Sequence, residues 1–381
     1  METLQYADFS LGLHQRISTG RWPVSGSIEV TRRCPANCIH CYNRLPLGDP
    51  EAPRRELTFE EQCRILNALA EAGCLWLLFT GGEIFARKDF LDIYTYAKNK
   101  GFLITLFTNG MLITPQIADY LAEWRPFSIE ISLYGMTRET YEKVTRTPGS
   151  YDQCTRGIHL IRQRGLPLKI KTVAITLNKH EIGEMKRFVE EELGLEFRFD
   201  AMINPCLDCS QRPLAVRLSP QDVTDLDFQD PRRVREWRRF AQKFNGPVHA
   251  HGSLDELYHC GAGMNSFAID PYGLLSICAL SNGSAYDLRR GSFREGWDRF
   301  IFNLRQEKIT RQTKCTHCEI KAMCGMCPSY GKLENKDAEE PVDFLCRVAH
   351  LRAKALGVPI KPHGECDYCK SDPTQGGKDE R

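Results

Sequence analysis

Short apolar runs alternate with segments of helical periodicity from residue 26 to about residue 205. Six of these runs are short and rich in Ile, Leu, Val or Phe, which favours buried strands. The predicted strands are 27–30, 75–80, 103–108, 127–132, 168–176 and 196–202. Because helical segments fill the gaps between them, the pattern predicts parallel βαβ units.

Residues that favour helix starts stand between the predicted strands. Thr58 and Glu61 have the spacing of a capping box, and Thr114 precedes a proline. Asn178 is predicted to cap a helix that runs to Leu193. Six βα units without a seventh or eighth predict an α/β fold, a partial (βα)6 TIM-like barrel that is open on one side. Its chemistry is expected at the carboxyl ends of the strands.

The strand–helix pattern ends after Asn204, and the rest of the chain divides into shorter segments. We predict an N-terminal extension at 1–23, the barrel at 24–205, a linker at 206–259, a small Cys-rich domain at 260–357 and a C-terminal tail at 358–381. The Cys-rich domain has too little periodic apolar surface to fold easily without metal. The end of the tail, from residue 371, is predicted to be disordered.

The linker contains a charged helix, predicted at 231–244, with five arginines. These arginines form either a solvated helix face or a surface for an acidic partner peptide. They are Arg232, Arg233, Arg235, Arg238 and Arg239.

Composition excludes several classes of protein. The 51 basic and 49 acidic side chains nearly cancel, so no charge excess points to nucleic acid or to an anionic membrane. The chain lacks an apolar stretch of 18 residues and a signal peptide, so we expect a cytoplasmic protein that does not enter the membrane. In a reducing cytoplasm the 17 cysteines point to metal rather than to disulfides. The isolated Cys63, Cys74 and Cys154 are expected to be small buried hydrophobes.

Three cysteines form a loop directly after the first predicted strand. Cys34, Cys38 and Cys41 can offer thiolates to three irons of a cubane, which leaves one iron without a protein ligand. The alternative is a zinc loop, but zinc sites normally close with four ligands, and the next donor, His40, lies inside the loop.

This loop resembles the CxxxCxxC motif of the radical S-adenosylmethionine (SAM) superfamily. It departs from that motif in one respect: His40 occupies the usual aromatic position, and Tyr42 follows the third cysteine, as in the SPASM branch of the superfamily. The resemblance extends from about residue 24 to about residue 357. It implies a SAM-binding 4Fe-4S cluster, which produces a 5'-deoxyadenosyl radical by reductive cleavage of SAM.

The resemblance also implies a set of residues that contact SAM. Gly81, Gly82 and Glu83 match the superfamily's GGE motif, whose backbone meets the SAM amino group and therefore needs glycine. Ser132 stands where relatives place a hydroxyl that contacts SAM, and Asn109 lies in the matching loop of the third strand.

Three further SAM contacts are less well matched. Tyr42 replaces the aromatic residue that usually lies near adenine. For the SAM carboxylate the resemblance implies a basic residue; Arg146 is one position away from the usual offset, and Lys171 competes with it. Arg146 as a simple surface residue is the remaining alternative.

A second cysteine array, from residue 260 to residue 346, is similar to the seven-cysteine SPASM domain, which holds one or two auxiliary iron–sulfur clusters. By this resemblance, the first auxiliary cluster takes Cys260, Cys278 and Cys327, and the second takes Cys315, Cys318, Cys324 and Cys346. Cluster one then lacks a ligand: its fourth position is either open to substrate or filled from Cys206, Cys209, Cys366 and Cys369. A zinc ribbon over 315–327 is the alternative for the array itself.

An electron acceptor near the substrate favours oxidative chemistry. The leading hypothesis is therefore an oxidoreductase that crosslinks a ribosomally made peptide. Because 33 residues precede Cys34, leader recognition would need a separate small chaperone. The electron donor is expected to be a flavodoxin or a ferredoxin. Two alternatives are also enzymes: a maturase of a folded protein, such as a sulfatase, and an enzyme that acts on a tetrapyrrole. A third is an iron–sulfur electron carrier, although a carrier would have no use for an intact SAM site.

Overall fold

The computed structural model describes residues 5–17, 20–244 and 255–370. The predicted disordered end of the tail, 371–381, lies outside the described residues. The chain divides into two compact units. The first is Met1–Val173 with Leu177–Asp200 and Gly261–Arg305; the second is Ala174–Thr176 with Ala201–Cys260 and Gln306–Arg381.

The first unit is built on a nine-stranded sheet within the described residues. The strands of the sheet are β1 Ser25–Glu29, β4 Trp76–Thr80, β5 Leu103–Thr108, β6 Ser128–Ser132, β7 Leu168–Val173, β8 Glu196–Asp200, β9 Ser266–Ile269, β10 Leu274–Ser276 and β11 Tyr286–Asp287. Their order across the sheet is β11-β10-β9-β1-β4-β5-β6-β7-β8. A separate two-stranded pair consists of β2 Arg33–Cys34 and β3 Leu45–Pro46.

Six strands, β1 and β4 to β8, pair in parallel and in sequence order, as the apolar pattern predicts. The prediction of a partial (βα)6 barrel is confirmed. The sheet also contains β9, which pairs in parallel with β1, and β10 and β11, which continue it in antiparallel pairing. Residues Gly261–Arg305 therefore belong to the first unit, although the sequence analysis grouped them with the Cys-rich segment.

Helices pack on one face of the sheet, where for example Phe90 lies edge-on against Phe79. Side chains that point to this face, such as Leu77, Phe79, Ile104 and Leu106, are fully buried. In the first unit the helices are α1 Tyr6–Ile17, α2 Ala52–Arg55, α3 Phe59–Glu71, α4 Phe90–Asn99, α5 Pro115–Glu123, α6 Arg138–Thr145, α7 Ser150–Gln163, α8 Ile182–Arg187, α11 Phe293–Glu295 and α12 Phe302–Arg305. Short 3-10 turns occupy Ile84–Ala86 and Lys179–Glu181, and π-helical turns occupy Phe188–Glu192 and Gly296–Ile301.

Two of the three predicted helix N-caps are confirmed by the structure. Thr58 and Glu61 form the capping box of α3, and Thr114 caps α5. The prediction for Asn178 is wrong. Its side-chain amide donates instead to the carbonyl oxygens of Tyr134 and Val173, so the following segment starts as a 3-10 turn without a side-chain cap.

The second unit is mainly helical. Its helices are α9 Pro220–Gln229, α10 Pro231–Phe244, α13 Lys321–Cys324, α14 Pro328–Asn335, α15 Asp343–Leu356 and α16 Asp367–Lys370, with a 3-10 turn at Arg212–Val216. Ile320, Met323 and Leu345 lie in its apolar core. The fully buried Asp227 accepts hydrogen bonds from Arg233 and Arg352. Arg233 is thus partly buried, whereas the other four arginines of α10 are exposed, as expected for a solvated face.

No helix in the described parts of the chain combines the length and the apolar character needed to cross a bilayer.

Candidate functional site

The loop that carries the three N-terminal cysteines is held by backbone contacts on both sides. It leaves the sheet after β1, and the β2–β3 pair, which contains Cys34, closes its base. The last turn of α6 binds its middle: the N–H of Asn37 donates to Thr145 O at 2.9 Å, and that of Ile39 donates to Val144 O at 3.0 Å. A turn then brings Cys41 N–H to Cys38 O at 3.1 Å. The cysteine positions are therefore defined by regular elements rather than by a free loop.

The three thiols lie close enough to affect one another's ionisation. Burial raises the pKa of Cys34 to about 12, and the negative charges of Glu83 and Cys41 add to this. Burial, together with Cys41 and Cys34, also raises the pKa of Cys38. Cys34 and Cys38 thus keep their protons at neutral pH, and an iron cluster would take the place of these protons. The Asn109 side-chain amide donates to Cys34 Sγ at 3.4 Å, a contact that stabilises a sulfur ligand. These features fit an iron–sulfur cluster.

Gly81 and Gly82 pack directly against the backbone that leads into the cysteine loop. The N–H of Gly82 donates to Thr31 O at 2.7 Å, and that of Glu83 donates to Arg33 O at 2.9 Å. Gly81 has a φ of +142°, and a Cβ at this position would lie 2.1 Å from Thr31 O. Both glycines are therefore required for close contact with the residues before Cys34.

The Glu83 side chain connects this motif to the end of the next strand. Its buried carboxyl accepts from Thr108 Oγ1 at 2.7 Å and from Asn109 N–H at 2.8 Å. Burial raises the pKa of Glu83 to about 7, and these hydrogen bonds oppose that effect. Since Asn109 contacts Cys34, Glu83 positions a residue that touches the cluster loop.

Ser132 ends β6 beside two aromatic groups. The Tyr134 side chain lies near Ser132, and its ring packs edge-on against His40, with 4.9 Å between the ring centroids. Burial lowers the pKa of His40 to about 4, so its imidazole is neutral. Its buried Nδ1 has no hydrogen-bond partner among the described residues. Tyr42, one residue after Cys41, is half-buried, and burial together with the nearby Glu29 raises the pKa of its hydroxyl.

The two basic candidates lie in different surroundings. Lys171 is on the inner face of the sheet, directly across from Ser132, with Nζ 3.5 Å from Glu130 Oε2 and over the Phe107 ring. Burial lowers the pKa of Lys171 to about 7. Arg146 is exposed and has a left-handed φ of 51° at the end of α6, the helix that binds the cysteine loop. The backbone of Arg146 is thus near the loop, while Lys171 shares a strand register with Ser132.

In the second unit, the four cysteines predicted for auxiliary cluster two form one electrostatic group. Burial raises the pKa of Cys318 and of Cys324 to about 12, and the negative charge of Cys315 adds to this in both cases. Burial also raises the pKa of Cys346, on α15, and the charges of Cys366 and Cys324 add to this. All four line one small cavity.

The cysteines predicted for auxiliary cluster one are divided between the units. Cys260 and Cys327 line a cavity of about 590 Å³ in the second unit, whereas Cys278 is in the first unit. Cys206 and Cys209 form a tight turn, in which Cys209 N–H donates to Cys206 O at 2.9 Å. The ligand set of cluster one stays a prediction.

Cys366 and Cys369 lie beside Cys346, which the resemblance assigns to cluster two. The Sγ atoms of Cys366 and Cys346 are 3.9 Å apart. Two histidines that the sequence analysis did not single out, His350 and His363, complete this group. Their signal in the sequence is their spacing: His350 is four residues after Cys346 on one helix face, and His363 is three residues before Cys366.

The family model of the radical SAM superfamily matches residues 28–189, the segment that contains the cysteine loop and the GGE motif. Residues 28–189 therefore form a radical SAM domain. This radical SAM enzyme is also similar, over most of its length, to curated proteins with different substrates. It is 26% identical to an AdoMet-dependent heme synthase of Methanosarcina barkeri, over 78% of the chain and 89% of that relative. It is 23% identical to the subtilosin biosynthesis protein AlbA of Bacillus subtilis, over 82% of the chain and 69% of AlbA.

Solved structures show the same fold. Streptococcus suis SuiB bound to its precursor peptide SuiA aligns with a TM-score of 0.67 at 17% identity, over 89% of this chain and 79% of SuiB. The structure of anSMEcpe with bound AdoMet aligns with a TM-score of 0.64 at 14% identity. The alignment covers 87% of this chain and 96% of anSMEcpe. The predicted radical SAM domain, and with it the use of a 4Fe-4S cluster and SAM, is confirmed, and the solved structures confirm the predicted fold.

Proposed function

We propose that this radical SAM enzyme oxidatively modifies, by crosslinking, a ribosomally made peptide. The observation that carries the proposal is the coexistence of two thiol sites, the three-cysteine loop of the first unit and the cysteine group of the second. One site starts radical chemistry, and the other can accept the electron that an oxidative reaction releases.

A cluster on Cys34, Cys38 and Cys41 supplies, when it and SAM are bound, the electron that converts SAM into a 5'-deoxyadenosyl radical. The other residues hold SAM in place. The N–H groups of Gly82 and Glu83 already bond to the chain, so we assign the backbone carbonyls of this motif to the SAM ammonium group. We assign Ser132 to the SAM hydroxyl or carboxylate contacts, and Tyr42 and His40 to the adenine side.

We favour Lys171 over Arg146 for the SAM carboxylate. Lys171 faces the inside of the sheet across from Ser132, whereas the Arg146 side chain is exposed. An anion close to Lys171 would restore the charge that burial removes.

The open side of the sheet supports a peptide substrate. Among the described strands, β8 is an edge strand that pairs with β7 alone, and the sheet does not close on itself. A barrel that is open along a strand edge admits an extended chain from the side. SuiB, which shares this fold, has been solved with a precursor peptide. We propose a separate small leader-binding chaperone as a further partner, and flavodoxin or ferredoxin as the electron donor.

A tetrapyrrole is the second candidate. Heme synthase relatives cover 78% to 82% of this chain. Lys169 and Lys171 alternate onto one face of β7, and Arg198 on β8 pairs in register with Lys171. These cations can receive the propionates of a porphyrin.

The first experiment tests SAM cleavage. The protein is reconstituted anaerobically with iron and sulfide and incubated with SAM and dithionite, and 5'-deoxyadenosine is quantified by liquid chromatography. We expect product from wild type and from Cys63→Ala, whose thiol lies outside both sites, and none from Cys38→Ala. Absence of product from the reconstituted wild type would overturn the proposed activity.

The second experiment separates the two substrates. The enzyme is coexpressed with the short peptide encoded beside its gene, and in parallel it is incubated with an iron porphyrin that carries propionates. A peptide that loses two hydrogens for each crosslink supports the proposal. An unchanged peptide together with a porphyrin of altered mass would replace the peptide with the tetrapyrrole as the proposed substrate.

A further inference from the structure

Four side chains at the C-terminal end of the second unit converge on one point. They are His350, His363, Cys366 and Cys369, which we call the tail site. Their ligand atoms all lie within 4.8 Å of one another. Three of the four residues are buried, and Cys369 is half-buried. Grouping so many thiol and imidazole groups away from water is costly unless they bind something.

The distances fit a single tetrahedral ion. His350 Nε2 lies 3.6 Å from Cys366 Sγ and 3.1 Å from Cys369 Sγ. Cys369 Sγ lies 3.4 Å from Nδ1 and 3.9 Å from Nε2 of His363. A zinc ion with Zn–S near ~2.3 Å and Zn–N near ~2.1 Å places its sulfur and nitrogen ligands about 3.6 Å apart. The side chains need only small adjustments to reach this geometry.

Each imidazole has a backbone carbonyl partner for its Nδ1 atom. Nδ1 of His350 bonds to Cys346 O at 2.8 Å, and Nδ1 of His363 bonds to Lys361 O at 2.9 Å. A carbonyl acceptor puts the proton on Nδ1, so each Nε2 keeps a lone pair for a metal. Such hydrogen bonds from the outer ring nitrogen are typical of zinc sites.

We propose that the tail site binds one Zn²⁺ ion through two thiolates and two imidazoles, separately from the iron–sulfur clusters. The donor set of two sulfurs and two nitrogens selects zinc over calcium or magnesium. The four cysteines predicted for auxiliary cluster two line one cavity without Cys366 and Cys369, and His350 and His363 also line this cavity. The tail site is its immediate neighbour, because Cys346 and Cys366 are 3.9 Å apart.

The zinc ion holds the segment 363–369 against α15. His350 is in the middle of this helix, one turn after Cys346, whereas the other three ligands come from the segment 363–369 that follows it. A closed four-ligand site of this kind is structural and leaves no position for substrate. It holds the tail against the helix that carries a predicted cluster ligand.

Metal analysis of the full-length protein tests this proposal. Protein is produced with iron and zinc in the medium and purified anaerobically, and both metals are measured by mass spectrometry. We expect about one zinc ion per chain in wild type. His363→Ala and Cys369→Ala should lose the zinc and keep the iron content of wild type. Cys63→Ala, a cysteine of the first unit, is the matched control and should keep both metals.

Two further measurements do not depend on the alanine variants being soluble. His363→Cys replaces one zinc ligand by another and should keep the zinc. Zinc-edge X-ray absorption of wild type should show two sulfur and two nitrogen neighbours. Wild type without stoichiometric zinc would overturn the proposal. So would a Cys369→Ala variant that loses iron instead, since these cysteines would then be cluster ligands.

Discussion

Gly82→Ala tests whether the GGE motif acts by close backbone contact with the cysteine loop. An alanine Cβ at this position would lie 2.5 Å from the carbonyl oxygens of both Arg32 and Arg33. Because a carbon normally stays about 3.3 Å from a carbonyl oxygen, the two backbones must separate by about 0.8 Å. Cys34 is the next residue, so it moves with them. Overpacking of this size costs about 1–3 kcal/mol.

The shift should affect SAM cleavage more than folding. A displacement near 1 Å in a catalytic arrangement can cost up to about 100-fold in rate. We therefore expect at least about a tenfold loss of 5'-deoxyadenosine formation, with a modest decrease in the midpoint of thermal unfolding. The assay is anaerobic product quantification on protein of known iron content, together with a melting curve.

Gly183→Ala is the matched control. A Cβ at Gly183 meets nothing within 4 Å, and the residue lies in α8. Alanine is the better helix former by up to about 1 kcal/mol, so this variant should melt at or above the wild-type temperature and keep full activity. A Gly82→Ala variant with the wild-type rate and midpoint would refute the contact argument.

Three further predictions concern the metal, the inner face of the barrel and the second unit. The triple alanine variant of the three loop cysteines should lose about four irons and all SAM cleavage, with the remaining iron retained, as iron and sulfide analysis would show. Lys171 binds its proton less tightly in the folded protein, where burial lowers its pKa to about 7, than in the unfolded chain. Stability should therefore rise with pH between 7 and 9, by on the order of 2 kcal/mol, and Lys171→Met should lose this rise in melting curves at the two pH values. Equal slopes for both proteins would contradict it. Asp227→Ala leaves the buried Arg352 without its carboxylate and should cost about 3–5 kcal/mol. The exposed Asp225→Ala on the same helix should melt like wild type, and a similar melting point for both variants would count against a buried ion pair.

Much of the barrel follows from local sequence. The six parallel strands are short apolar runs, and α3 and α5 start at the predicted caps, because strand burial and capping depend on neighbouring residues. The strand β9 could not be predicted this way. Ser266–Ile269 pairs with β1 across more than two hundred residues, and a four-residue strand carries little periodicity of its own.

The cysteines of both sites could be predicted because their spacing is a local property. The supporting contacts could not. The hydrogen bond that the Asn109 N–H donates to the Glu83 carboxyl, and the position of Lys171 across from Ser132, result from strand register. Arg146 shows that spacing along the sequence does not predict where a side chain points. Its backbone lies near the cysteine loop, but its side chain is exposed.

Two of the cysteines predicted as cluster ligands lie within the apolar core of the second unit. Cys318 and Cys324 are members of the core that also contains Met323 and Leu345. A thiol in this position serves as a small hydrophobe without metal and as a ligand with it, so metal binding and packing stabilise the same elements. We therefore expect folding of the second unit to be coupled to metal binding. Such coupling would account for a compact unit in a segment with few periodic apolar residues.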